Sequence, residues 1–287
     1  MWCIPPKQSA DFVAHMEDIL AVYARPYDAK MPVGCMDEKP YQLLDSEISP
    51  INMSADNHSK KTDSEYLRKG TCSIFMFTEP LYGWREAHAM PQRRTLEWAQ
   101  QIKWLVDEVY PDVEKIVLVM DNLNTHAISS LYKCFHPEEA FRIKQKLEIH
   151  YTPKHGSWLD IAEIELSALS LQCLGDERIP NIELLDEKLK AWSNDRNAKQ
   201  KGVSWQFTTA DARIKLKHLY PELICKLILL TYLTKSTSLC QALRVVFSGF
   251  AVQKLKMSQT FQKIKSSKGQ PYENHLILQH KILFFNT

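Results

Sequence analysis

Apolar residues recur at spacings of three and four from Ser9 to Arg25, where Phe12, Met16, Ile19, Leu20 and Tyr23 fall on one helical face. Met31 to Met36 is a short apolar segment that ends in an acidic pair, Asp37-Glu38. The stretch from Pro40 to Lys69 is polar and irregular and reads as a loop or hairpin excursion. Thr71 to Thr78 and Trp84 to Met90, separated by a turn around Tyr82-Gly83, predict a hairpin. Helical periodicity returns from Thr95 to Tyr110 and stops at Pro111. Lys115 to Met120 is a continuous β-branched and apolar run, the pattern of a central strand buried on both faces, and it ends at Asp121.

Pro137 to Lys146 reads as a helix with Glu138-Glu139 in its first turn, and Leu147 to Tyr151 as a short strand. Three helices follow in the pattern: Ser157 to Leu174, capped by Ser157, then Asn181 to Asn197, then Thr208 to Tyr220. Early strands joined by hairpins, then strands alternating with helices, predict an α/β fold with a mixed sheet. Its first three strands are antiparallel, parallel strands follow, and helices cover both faces.

Charge divides the chain unevenly. Its 287 residues carry 36 Lys/Arg against 34 Asp/Glu, a net of +2. Residues 223–287 hold nine basic residues and one acidic residue, Glu273, whereas the first 222 hold 27 basic and 33 acidic. The body is therefore acidic, and the tail is either a basic DNA-contacting arm or an appended segment without a selected role. Eight glycines and no GxGxxG or GxxxxGK[ST] pattern argue against a phosphate-cradling loop. Seven dispersed cysteines with no CxxC pair fit a reducing compartment rather than a disulfide scaffold. The longest apolar run, Leu223 to Leu230, is broken by Lys226 and too short to span a bilayer.

Three acidic residues stand at telling points. Asp37 ends the first strand candidate, Asp121 ends the central one, and Glu163 lies early in the helix after the last strand. Strand ends of an α/β sheet open onto the crevice where ligands bind. Gathered carboxylates repel one another and need a cation, and hard oxygen ligands suit Mg²⁺ or Mn²⁺. Two such ions can activate a water or 3′-hydroxyl and stabilise the leaving oxygen of a phosphodiester. On a helical wheel Leu159, Ala162, Leu166 and Leu169 form one apolar face, and Ile161, Ile164, Ala168 and Leu171 another. That pattern predicts a helix sandwiched in the core, with Asp160, Glu163, Ser167 and Ser170 as a polar strip between the faces. Glu165 falls on the far side and is the alternative third carboxylate. His126, His150 and His155 have spacings that match no zinc motif. The tryptophans at 84, 98, 158, 192 and 205 read most simply as core.

The phrases CMDEKP, VLVMDNLNTH and HYTPKHGSWLDIAEIELS resemble the catalytic blocks of bacterial insertion-sequence 630 transposases, in the mariner superfamily of DDE transposases. The resemblance runs from about Trp2 to Tyr220. It implies an RNase H-like catalytic domain over residues 31–221, a linker and helix over 1–30, and a tail over 222–287 foreign to the family. It implies Asp37, Asp121 and Glu163 as the metal-binding triad for two Mg²⁺ or Mn²⁺ ions. Glu38, Lys39, Asn122, Asn124, His126, His150, Lys154, His155, Ser157 and Trp158 lie in the same blocks as supporting or DNA-contacting residues. The implied activity is cleavage of double-stranded DNA at transposon ends and strand transfer into target DNA. A homodimer in the bacterial cytoplasm is implied with it.

Two departures weigh against full activity. The family pattern has Asn where this chain has Asp160, and no helix-turn-helix segment precedes Asp37. An inactive remnant and a metal-dependent nuclease without strand transfer are therefore the alternatives.

Overall fold

The computed structural model describes residues 7–47, 64–175, 177–199 and 201–222. All but Glu222 of these belong to one compact unit that ends at Pro221. The tail expected over 222–287 lies, beyond its first residue, outside the described residues.

A five-stranded mixed sheet in the order β3-β2-β1-β4-β5 organises the unit. The strands are β1 (Val33–Ser46), β2 (Tyr66–Glu79), β3 (Trp84–Met90), β4 (Ile116–Met120) and β5 (Leu147–Tyr151). β1, β2 and β3 pair antiparallel, and β4 and β5 add in parallel on the other side of β1. All five residues of β4 are buried, as its unbroken apolar run requires. This is the mixed α/β arrangement that the hydrophobic pattern predicts.

Helices cover both faces. On one side α1 (Ala10–Tyr23), α5 (Ile161–Leu169), α6 (Ile182–Ala198) and α7 (Thr209–Lys215) pack against Cys35, Ile74, Met76, Val117 and Val119. On the other, α2 (Thr95–Trp104), α3 (Ile128–Cys134) and α4 (Pro137–Gln145) pack against Met36, Phe75, Phe77, Ile116 and Leu118. Alternate residues of each strand feed opposite cores, which is the period-2 rule at work. Asn181 caps α6 by accepting a hydrogen bond from the Leu184 N–H at 2.8 Å. Asn181→Ala is expected to lower the unfolding free energy by about 1 kcal/mol. An unchanged urea midpoint would mean that α6 unfolds separately from the sheet it covers.

Several expectations are refined or corrected. From Pro40 to Lys69 the hairpin alternative holds at both ends: β1 continues to Ser46, and β2, paired antiparallel with it, begins at Tyr66. The antiparallel ladder there outweighs polar composition, and Tyr66 to Thr71 pair while exposed, except Lys69, which the register skips at a bulge. β1 has lost β4 as a neighbour beyond Met36, so Pro40, which has no N–H to donate, sits on an edge that tolerates it. Asp37 therefore does not end its strand; it lies inside β1, at the point where β4 ends. The helix expected over Ser157 to Leu174 is interrupted, and Ser157 is not its cap. A 3₁₀ turn occupies Ser157–Leu159, and Asp160, in extended conformation, caps α5 by accepting from the Ala162 N–H at 2.9 Å. The helix is also not sandwiched, since Ile164 and Leu171 are exposed. Finally α3, short and weakly periodic, has no counterpart in the pattern.

Candidate active site

The parallel register sets the first two carboxylates side by side. Met36 pairs with Met120, so Asp37 and Asp121 are the next residues on adjacent strands. Glu163 enters from the first turn of α5, which Asp160 starts. Asp37 and Glu163 line one cleft of about 570 Å³ together with Glu38, Lys39, Ser167 and Ser170. Asp121 lines a neighbouring cleft of about 470 Å³ with His15, Asn122, Lys154, His155 and Ser157. Burial pushes the Asp37 carboxyl up to about 7, and the negative charges of Asp121, Glu38 and Glu163 add to it. The hydrogen bond that Asp37 Oδ1 accepts from the Glu38 N–H only partly offsets this. A set of oxygen donors whose charges repel one another fits a hard divalent cation.

Glu165 is engaged elsewhere. Its carboxylate is buried and ion-paired with Arg85 at 3.1 Å and with Arg196 at 3.1 Å. Arg85 is itself buried and donates to the Lys201 carbonyl oxygen at 3.1 Å. Two cations satisfy this carboxylate on the far side of α5 from Asp37. Between Glu163 and Glu165, only Glu163 shares a cleft with Asp37.

Asp160 sits deeper than the helical wheel placed it. One oxygen caps α5, and the other is buried without a hydrogen-bond partner. Burial raises its pKa well above the ordinary value, and the charge of Asp37 adds to the shift.

His126 is the least exposed histidine of the candidate set. Its Nε2 lies 2.7 Å from Glu38 Oε1, and its Nδ1 lies 3.1 Å from the Asp121 carbonyl oxygen and 2.5 Å from Asp121 Oδ1. Trp98 stacks on the ring at 5.9 Å. Burial opposes a charge on this ring, but the contacts to Asp121 and Glu38 outweigh it and push the imidazole up to about 10. Glu38, Asp121 and His126 offer ligand atoms within 4.8 Å of one another. Both ring nitrogens already face oxygens at hydrogen-bond range, so the group is a relay of contacts.

The remaining candidates divide. Asn122, Lys154, His155 and Ser157 are exposed around the Asp121 cleft, and His155 adopts a left-handed backbone, φ 66°. Lys39 hydrogen-bonds Ser170 across the other cleft. Asn124 is exposed in a 3₁₀ turn after β4. His150 lies outside both clefts, held between Asp18 of α1 at 2.6 Å and Glu148 at 3.1 Å. Trp158 packs at the margin of the core with Phe207. Sequence reading named Glu38 and His126 singly but missed their coupling, and it missed Arg85 and Arg196 altogether. Nothing local marks pairs that lie 31 to 88 positions apart.

A family model, "DDE superfamily endonuclease", matches residues 32–186, just over half of the chain. The chain belongs to the DDE superfamily endonucleases. Asp37, Asp121 and Glu163 all fall within the matched segment. Among curated proteins none matches the chain. Among solved structures, the chain is similar to the Mos1 strand transfer complex, with 12% identity and a TM-score of 0.50 over 74% of this chain and 62% of that one. It also resembles the Mos1 mariner paired-end complex with Mn, at 13% identity and TM-score 0.45 over 67% of this chain and 57% of that one. A third likeness, at 12% identity and TM-score 0.48, is to the isolated catalytic domain of Mos1 mariner transposase, over 76% of this chain and all of that one. The chain thus spans under two thirds of the first two structures, and the shared feature is the RNase H-like fold. Among the described residues, no helix is long and apolar enough to cross a membrane.

Proposed function

We propose that residues 31–221 form the catalytic domain of an insertion-sequence 630 type transposase from a bacterium. In this reading Asp37, Asp121 and Glu163 hold two Mg²⁺ or Mn²⁺ ions. The observation that carries it is the convergence of these carboxylates where β4 ends beside β1: burial pushes Asp37 up to about 7, and the charges of Asp121 and Glu163 add to it. When bound, such ions activate a water or 3′-hydroxyl and stabilise the leaving oxygen of a phosphodiester.

The chain's own residues supply the rest. With a cation bound, Asp37 would be held as a carboxylate, because the cation's positive charge would offset the repulsion from its acidic neighbours. Lys39 on one side, and Lys154 with Asn122, His155 and Ser157 on the other, present donors to the phosphates of double-stranded DNA, at transposon ends and at the target. The fold shared with a strand transfer complex supports DNA joining as the outcome. A homodimer on paired ends belongs to the same reading.

A strand-joining assay tests it. The purified chain is mixed with Mn²⁺, a supercoiled plasmid and a duplex made from the DNA that flanks its gene. Joined products support a transposase, nicking without joining supports a nuclease, and neither product overturns both. One observation favours a second reading, an impaired remnant: Asp160 places a buried, unpartnered carboxylate oxygen beside the triad. Restored joining in Asp160→Asn identifies this residue as the impairment.

A further inference from the structure

The relay between Glu38, His126 and Asp121 has a geometry that a core contact alone does not require. Asp121 Oδ1 is buried and meets His126 Nδ1 as an ion-pair contact at 2.5 Å outside hydrogen-bond geometry, while the backbone carbonyl oxygen of Asp121 takes the hydrogen bond at 3.1 Å; yet the Asp121 side chain as a whole is 37% exposed. Its opening to the cleft is therefore through the other oxygen, Oδ2. One oxygen is held from inside and the other is presented outside.

The holder is itself fixed. The His126 and Glu38 side chains are 1% and 2% exposed, so neither turns into solvent. Nε2 reaches Glu38 at 2.7 Å, Trp98 stacks on the ring, and the Tyr151 hydroxyl donates to the His126 carbonyl oxygen at 2.8 Å. Glu38 follows Asp37 on β1, so its side chain leaves the opposite face of the sheet. Adjacent residues of one strand thus serve the cleft directly and, through His126, from behind.

We infer that Glu38 and His126 are positioning residues that fix the Asp121 carboxylate with one oxygen presented to the metal site. This rests on the proposed role of Asp121 as a metal ligand. Groups that orient metal ligands in this way typically contribute about 10–100-fold to metal affinity.

The test is Mn²⁺ affinity of the full purified chain, measured by electron paramagnetic resonance of free Mn²⁺, with melting followed by circular dichroism. His126→Gln is expected to weaken binding about 10–100-fold. Glu38→Gln, which keeps an acceptor for Nε2, is expected to weaken it by less. Glu38→Ala, which removes the acceptor for Nε2, is expected to weaken it more than Glu38→Gln and decides the matter even where His126→Gln fails to fold. Wild-type affinity in folded His126→Gln or folded Glu38→Ala overturns the relay. So does tighter binding, since it would mean that charge rather than orientation governs the contact. Asp121→Asn separates the two claims. If it weakens binding while His126→Gln and Glu38→Ala bind normally, the metal site stands and the relay falls. If the unmodified chain binds no Mn²⁺, or Asp121→Asn leaves binding unchanged, the metal reading falls and takes the relay with it.

Discussion

Glu165→Ala is expected to lower the unfolding free energy by about 3–5 kcal/mol, whereas Glu163→Gln should leave stability at or above that of the wild type. The two residues are two positions apart on α5, and only their surroundings differ. Glu165 is 4% exposed and neutralises Arg85 and Arg196 at 3.1 Å each. Removing it leaves Arg85 buried with no counter-charge, and an uncompensated buried charge is what makes such losses large. Glu163 faces Asp37 across a cleft and adds repulsion. Neutralising it removes a like charge at the loss of only the first-turn attraction to the helix dipole, about 0.3–1 kcal/mol. Urea unfolding of both variants checks the contrast, and equal stabilities would return Glu165 to candidacy as the third carboxylate.

Stability of the metal-free chain is expected to fall as pH rises from about 4 to 7, by up to about 4 kcal/mol from Asp37 alone. Its carboxyl is pushed up to about 7 in the folded state, chiefly by burial and then by its acidic neighbours. The sign follows from proton counting. Between the unfolded and folded values the native state binds more protons than the unfolded chain, so the stabilisation present at low pH is lost as pH rises through the folded value. Asp160, raised by burial and by Asp37, acts in the same direction. His126, with burial opposing and its hydrogen bonds raising it to about 10, extends the loss above neutral pH.

Saturating Mn²⁺ should therefore raise the melting temperature more at pH 7.5 than at pH 5. Asp160→Asn keeps a good N-cap for α5 while deleting the charge, so it should stabilise the chain at pH 7.5 and not at pH 4. Melting temperatures that do not vary with pH or metal would contradict the arrangement of carboxylates described above.

Much of this was legible in the sequence, and the exceptions have physical reasons. Periodicity located α1 and β4 because both bury a regular apolar pattern. It left the far ends of β1 and β2 open between loop and hairpin because those residues pair through backbone hydrogen bonds while their side chains stay polar. It misread the start of α5 because Ser157 and Asp160 both cap well, and only the 3₁₀ turn between them decides which one does. The triad could be proposed because each carboxylate sits beside a strong strand or helix signal. The choice of Glu163 over Glu165 could not be settled there, because the partners that claim Glu165 come from β3 and α6, far away in the chain. The coupling of Glu38 to His126 was hidden for the same reason.

Metal-dependent cleavage by single carboxylate variants tests the central claim most directly. A supercoiled plasmid is incubated with the purified chain in Mg²⁺ or Mn²⁺ and, as a control, in chelator. The account predicts nicking by the wild type that requires the metal. It predicts that Asp37→Asn, Asp121→Asn and Glu163→Gln each lose more than the roughly 10–100-fold that removing a supporting contact costs. Nicking that survives unchanged in Asp121→Asn, or that proceeds equally in chelator, would contradict it.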